Sequence, residues 1–311
     1  MDLENFVIET TGLTKRFGSV TAVSDLGLRV PQGGVFGLLG PNGSGKTTTM
    51  SMLLGLVRPT AGTFRVLGQE GASLAALRRT GAIVETPSFY PYLSGRANLR
   101  YFQGITGRGS PSEVDQLLRQ VDLADNAHRK FSTYSLGMKH RLGIAYALLG
   151  EPELMFLDEP TNGLDPAGMA EVRDLIQDLG GGGRTVVLSS HLLHEVEQVC
   201  DGMAILSRGK LIAQDRVQNL LRQPGTLRLK TNDDQRASQV LADLDWVGEC
   251  RREEGYLSVA APPERSWELS KALAQQEVYV SEMYQSQASL EEYFLEVTGD
   301  DLTTSTDGKT S

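Results

Sequence analysis

Residues Gly40-Pro41-Asn42-Gly43-Ser44-Gly45-Lys46-Thr47 fit the pattern G-x-x-x-x-G-K-[ST], and the chain around them reads as a strand running into a helix. The preceding Val35-Phe36-Gly37-Leu38-Leu39 is a short apolar run of the kind buried on both faces of a parallel sheet. The following segment carries Met50, Leu53 and Leu54 at helical spacing. Glycines let the backbone curl so that successive N–H groups converge on an anion, and the start of the helix adds its positive end. An ordinary glycine turn is the competing reading, and the strand-loop-helix setting disfavours it. The loop therefore suits the phosphates of a nucleoside triphosphate. Lys46 would reach the β- and γ-phosphates, Thr47 would offer its hydroxyl to Mg²⁺, and Thr48 is a further candidate phosphate ligand.

A second half-site lies in Leu154-Met155-Phe156-Leu157-Asp158-Glu159, four apolar residues ending in two acids. This is expected of a buried parallel strand whose C-terminal end meets a ligand. Asp158 would hold Mg²⁺, directly or through a water, and Glu159 suits a general base for the water attacking the γ-phosphate. Acids at strand ends are usually solvated turn residues. Beside a phosphate loop that reading loses ground.

Further motifs follow in order. Phe17 stands in Leu13-Thr14-Lys15-Arg16-Phe17-Gly18, Ser135 and Gly137 in Tyr134-Ser135-Leu136-Gly137-Met138, Asp165 in Gly163-Leu164-Asp165-Pro166, and His191 ends Thr185-Val186-Val187-Leu188-Ser189-Ser190. With them the chain resembles the nucleotide-binding subunits of ABC transporters over about residues 5 to 220. The resemblance implies that Phe17 stacks on adenine, where a core aromatic is the alternative. It also implies that Ser135 and Gly137, with the helix Lys139 to Leu149 behind them, face the γ-phosphate held by an opposing subunit. Only these two residues match the family's Leu-Ser-Gly-Gly-Gln signature. Asp165 falls in the turn that couples the two sites, and His191 occupies the place of the γ-phosphate sensor. His128, His140 and His194 read as structural.

One position departs from the family. Where it keeps glutamine, in the loop between core and helical arm, Ala82-Ile83-Val84-Glu85-Thr86-Pro87 carries Glu85. A carboxylate is also a good hard-cation ligand, so metal binding survives with one more negative charge. This glutamate, the Ser-Phe-Tyr-Pro after it and the Ser-Leu-Gly-Met signature resemble ATPase subunits of bacitracin and lantibiotic resistance exporters. Drift from glutamine to glutamate without meaning for substrate is the alternative.

Length, composition and charge agree. A chain of 311 residues can bury a full core and hold more than one domain. No apolar run approaches the ~18 residues of a membrane span, and Met1-Asp2-Leu3-Glu4-Asn5 lacks the stretches of a signal peptide. The expectation is a cytoplasmic protein, peripheral on the cytoplasmic face of the membrane, acting through a separate integral membrane permease. A net charge of −9 argues against nucleic acid as a partner. Cys200 and Cys250 lie far apart without metal spacing and read as reduced thiols.

The expected fold class is α/β, a phosphate-loop NTPase core of the ABC type (5–222) with a helical subdomain over about 87–150, then an α+β accessory domain (226–298) and a disordered tail (299–311). In the helical arm, Ser110-Pro111-Ser112-Glu113 reads as a capping box with proline at the first helical position. Gly180 to Gly183 follow the helix Glu171 to Leu179 and read as a flexible helix stop. The accessory domain reads as β-α-β-β-α-β, a ferredoxin-like order, with strands over Thr226 to Thr231, Trp246 to Arg252, Tyr256 to Ala260 and Val278 to Met283, and a closing helix at Ser289 to Val297. The resemblance implies a Mg²⁺-dependent ATPase that self-associates around two ATP and drives export of a peptide antibiotic or drug. A soluble ABC-type ATPase of DNA repair lacks its long heptad arms here, and a regulatory binder that scarcely hydrolyses would not need both Glu159 and His191.

Overall fold

The computed structural model describes residues 5–85, 88–110, 112–221, 226–253 and 255–286. Its first strand, β1 (Phe6–Phe17), buries Val7, Ile8, Thr10 and Leu13 and pairs antiparallel with β2 (Val20–Leu26) and β3 (Arg29–Pro31). The chain then enters β4 (Gly34–Leu39), turns through residues 40–45 and continues as α1 (Lys46–Leu53). Next, β5 (Ala61–Val66) returns to pair antiparallel with β1, and β6 (Gln69–Glu70) pairs with β5. A short helix α2 (Leu74–Arg78), capped by the Ser73 hydroxyl, leads to β7 (Thr80–Ile83).

The middle of the chain is helical: α3 (Gly95–Thr106), α4 (Glu113–Gln120) and α5 (Leu136–Ala147). Asn98, fully buried on α3, accepts from the Tyr90 N–H at 2.8 Å and donates to the Tyr90 carbonyl at 3.0 Å, so its polar atoms are matched inside the protein. Phe89 packs edge-on against Phe102, Phe131 and Tyr146. Together these contacts fix Phe89 and Tyr90 against the helices.

Alternation of strand and helix then resumes with β8 (Leu154–Asp158), α6 (Pro166–Gly181), β9 (Thr185–Ser190), α7 (Leu193–Val199), β10 (Gly202–Ser207), β11 (Lys210–Arg216) and α8 (Val217–Leu221). Among the described residues the central sheet has the order β11-β10-β4-β9-β8-β7, parallel throughout except for edge strand β11. Every residue of β8, β9 and β10 is buried, which is why these strands are continuous apolar runs rather than alternating ones. The C-terminal ends of β4, β8 and β9 lie side by side, the place where open α/β sheets take their ligands.

The chain divides into two units, Met1–Val217 and Gln218–Ser311. In the second, β12 (Thr226–Thr231), α9 (Asp234–Ala242), β13 (Cys250–Glu253), β14 (Tyr256–Ala260), α10 (Ser266–Gln275) and β15 (Val280–Ser286) give an antiparallel sheet of order β13-β14-β12-β15. Leu227, Leu229, Leu257 and Val259 from the sheet meet Leu241, Leu269 and Leu273 from the helices in a core of its own. The expected closing helix at Ser289 to Val297 and the tail from residue 299 lie outside the described residues.

Several local expectations are corrected. The helix behind Ser135 begins at Leu136 rather than Lys139 and ends at Ala147, because the Ser135 hydroxyl caps it by accepting from the Met138 N–H at 3.2 Å. Of the capping box only the carboxylate half forms: Glu113 accepts from the Ser110 N–H at 3.1 Å, while the Ser110 hydroxyl pairs with that of Ser112. The second expected strand of the accessory domain starts at Cys250, not Trp246. The run Gly180 to Gly183 does end α6, at Gly181 with Gly182 as the C-cap and Gly183 at φ 80°, but Gly180 itself has a different part. It is buried within the helix, and a Cβ there would stand 2.7 Å from Val35 Cγ2, so its lack of a side chain lets α6 lie directly on β4.

This distinguishes two adjacent glycines. Gly180→Val should lower stability by about 1–3 kcal/mol through overpacking against the strand that carries the phosphate loop. Gly181→Ala, whose Cβ would meet nothing within 4 Å, should raise it by roughly 0.5–1 kcal/mol through helix propensity. Urea denaturation of both variants checks this, and equal midpoints would contradict the close-packing role of Gly180.

Candidate active site

The loop between β4 and α1 is bent by Gly43 and Gly45, whose φ values of 80° and 103° are open to glycine and strained for other residues. Gly40 is equally constrained by space, since a Cβ there would lie 2.2 Å from the Leu206 carbonyl oxygen. The first hydrogen bond of α1 runs from the Thr49 N–H to the Gly45 carbonyl at 2.8 Å, so Lys46, Thr47 and Thr48 point their N–H groups out of the helix start. Ser44, 2% exposed, has a hydroxyl with no hydrogen-bond partner. Orphaned N–H donors, a buried hydroxyl and a lysine form a donor set matched to phosphate oxygens.

Lys46 is 5% exposed. Its ammonium donates to the Gly40 carbonyl at 2.7 Å and the Pro41 carbonyl at 3.2 Å, and lies 3.5 Å from Glu159 Oε1. Burial pushes its pKa below the usual lysine range, against the opposing pull of Glu159 and Asp158.

The two acids end β8 differently. Asp158 stays on the strand, 8% exposed, and accepts from the Thr47 hydroxyl (2.8 Å to Oδ2) and the Ser189 hydroxyl (2.5 Å to Oδ1). Glu159 turns out of the strand with φ 47°. Its N–H donates to Ser189 Oγ at 2.9 Å, and its Oε2 pairs with His191 Nδ1 at 2.8 Å. An ionised carboxylate only accepts, so a pair with Glu159 in that form is one in which Nδ1 donates.

The structure thus brings together Lys46, Thr47, Asp158, Glu159 and His191. Glu85, with φ 63°, lines a cavity of about 430 Å³ together with Asp158, Glu159, His140, Leu136 and Gly163. Burial pushes the His140 imidazole below the usual histidine range. Phe17 is 50% exposed, with the Lys15 ammonium 4.8 Å from its ring centroid, and is not a core aromatic. Asp165 caps α6 by accepting from the Gly168 N–H at 3.2 Å. Among the described residues no hydrogen bond or ion pair joins Phe17, Ser135, Gly137 or Asp165 to Lys46, Asp158 or Glu159.

Ser189 is a residue of the candidate site that the sequence did not disclose. It lies opposite Asp158 in the β8–β9 register, where its hydroxyl serves both acids. The available signal was a pair of serines closing an otherwise apolar strand.

A phosphate-anchoring loop, a carboxylate reached by the loop's threonine and a second acid paired with histidine, all at the carboxyl ends of parallel strands, define an α/β nucleoside triphosphatase of the phosphate-loop type. The family model described as "ABC transporter" matches residues 23–162. The bacitracin transport ATP-binding protein of Enterococcus faecalis is 37% identical over 303 residues, covering 96% of this chain and 98% of that protein. The lantibiotic transport ATP-binding protein of Streptococcus pyogenes is 40% identical over 208 residues, 67% of this chain and 90% of that one. A solved structure of the ATP-binding subunit of an ABC transporter superposes with a TM-score of 0.61 at 30% identity, covering 70% of this chain and 92% of that chain. The chain belongs to the ABC transporter family as an ATP-binding subunit, an ATPase coupled to transport.

Ser189→Ala would leave a buried carboxylate and the Glu159 N–H short of a partner. Its ATPase turnover should fall roughly 10–100-fold, as is usual when a residue that orients a catalytic group is removed. Steady-state hydrolysis by the purified variant checks this, and wild-type turnover would show that the bridging hydroxyl is dispensable.

Proposed function

We propose that the chain hydrolyses ATP with Glu159 as general base and uses the cycle to drive a separate membrane permease exporting a peptide antibiotic or related drug. The observation that carries the catalytic part is the pairing of Glu159 with both His191 (2.8 Å) and Lys46 (3.5 Å) beside the Thr47–Asp158 contact.

In this reading the loop N–H groups and Lys46 grip the phosphates. Thr47 and Asp158, both hard oxygen donors, would hold Mg²⁺ with Glu85 nearby, and the cation when bound would offset phosphate charge. Glu159 removes the proton from the attacking water, and His191 fixes the carboxylate that does so. Phe17 offers an exposed ring face for the adenine base. Ser135, Gly137 and Asp165 complete the site of a second copy across a head-to-tail dimer. Supporting this is that the Ser135 end of α5 is exposed and not bonded to the chain's own Lys46–Asp158–Glu159 cluster.

Among the described residues no helix is long and apolar enough to cross a membrane, which fits action through a permease at the cytoplasmic face. A net charge of −9 favours neither nucleic acid nor anionic lipid as a partner surface. For the cargo, the support is the transport of bacitracin and lantibiotics in the relatives' names and the presence of Glu85. The second unit is proposed as a ferredoxin-like accessory module, on its β-α-β-β-α-β order.

Glu159→Gln tests the reading. ATP should still bind, while turnover falls about 10²–10⁴-fold, the contribution of a positioned base. Resistance to a peptide antibiotic in cells co-expressing the permease should be lost with it. Hydrolysis within about threefold of wild type under saturating Mg-ATP would remove Glu159 from that role.

A further inference from the structure

Behind the Glu159–His191 pair lies another acid, buried and facing inward. Glu195, in the first turn of α7, is 5% exposed. Its Oε2 accepts two hydrogen bonds, from the Thr161 hydroxyl at 2.9 Å and from the Ser190 hydroxyl at 2.9 Å. Ser190 Oγ accepts in turn from the Leu192 N–H at 2.9 Å, which closes a tight turn around His191. Thr161 lies two residues after Glu159, and Ser190 immediately precedes His191. The two loops are therefore joined twice, at the front by the Glu159–His191 contact and at the back through Glu195.

The back junction has work to do. Glu159 sits at φ 47°, a conformation that a residue other than glycine keeps only where its surroundings over-determine it. Ser189 holds its N–H from one side. On the other, the turn after it is closed by Asn162 N–H to the Glu159 carbonyl at 3.1 Å and Leu164 N–H to the Thr161 carbonyl at 3.2 Å. Thr161 anchors that turn through Glu195. A buried carboxylate is expensive to desolvate, and an apolar side chain would fill the same space without that cost. What the acid supplies and an apolar residue cannot is one oxygen that accepts from both loops at once.

We propose that Glu195 is a positioning residue for hydrolysis, holding the Glu159 and His191 loops in register through the hydroxyls of Thr161 and Ser190. This rests on the reading of Glu159 as the base. Among the described residues Glu195 bonds to neither Glu159 nor His191, and Ser190 meets the phosphate loop only through its main chain, its carbonyl accepting from the Gly40 N–H at 3.3 Å, a contact the side-chain variants keep. The effect therefore falls on turnover and not on nucleotide affinity.

The test is steady-state ATPase kinetics of the full chain with Glu195→Ala, Glu195→Gln, Thr161→Val and Ser190→Ala, with Glu159→Gln measured alongside. Glu195→Ala should lower kcat roughly 10–100-fold while KM for ATP stays within about threefold. Glu195→Gln, whose amide oxygen still accepts both hydroxyls, should recover kcat to within about threefold of wild type. Thr161→Val and Ser190→Ala should each lower kcat and add nothing when combined with Glu195→Ala. Unchanged kcat in Glu195→Ala overturns the proposal, as does a glutamine variant no better than alanine. If the alanine variant does not fold, the hydroxyl variants decide, and wild-type kcat in both overturns it. Failure of the underlying reading looks different, because Glu159→Gln would then retain turnover. An inactive Glu159→Gln beside a fully active Glu195→Ala sinks this inference alone.

Discussion

Asp158 ends a strand that is buried along its whole length, and a carboxylate placed there is tolerated only if its oxygens are met by donors. Two hydroxyls meet them, one from each side. Thr47 reaches Asp158 from the first turn of α1, so the phosphate loop has to curl back over the end of β4. Ser189 reaches it from β9, which fixes the β8–β9 register, since sliding by one residue would turn the serine to the opposite face of the sheet. The same Ser189 oxygen receives the Glu159 N–H and so sets where the chain leaves the strand. Satisfying one buried acid aligns the loop, the sheet and the second acid together.

Electrostatics follows from that alignment. Lys46 is buried where its charge is costly, and it is kept beside Glu159 by the ion pair and by carbonyls of its own loop. The lysine proposed to grip phosphate and the proposed base are thus neighbours before any ligand enters. At Gly180, α6 lies directly on β4, the strand that carries the loop.

How much of this could be read from the sequence depended on whether the information was local. The phosphate loop is a contiguous pattern whose glycines and Lys-Thr pair each have one mechanical purpose, and Asp158-Glu159 announces itself by closing an apolar strand. Both were legible. Ser189 and Glu195 were not, because their value lies in which strand or loop they face, and strand register is a tertiary fact. The helix stop in Gly180 to Gly183 is local and legible, since α6 ends at Gly181; that Gly180 also lets the helix lie on β4 shows only in the position of Val35. The start of α5 was misplaced because the Ser135 cap outweighs the weak helix preference of Gly137. In the second unit the residues around Trp246 have strand composition but turn before Cys250, and β-propensity alone cannot place that boundary.

The central claim is that Lys46 and the loop around it hold the triphosphate while Glu159 acts on it, so binding and hydrolysis should separate cleanly by residue. Calorimetric titration of ATP into the Lys46→Ala variant tests this most directly. The account predicts that affinity drops by at least about tenfold, as expected when a buried charged phosphate contact worth more than ~1.4 kcal/mol is deleted. Unchanged affinity in a folded Lys46→Ala protein would contradict it.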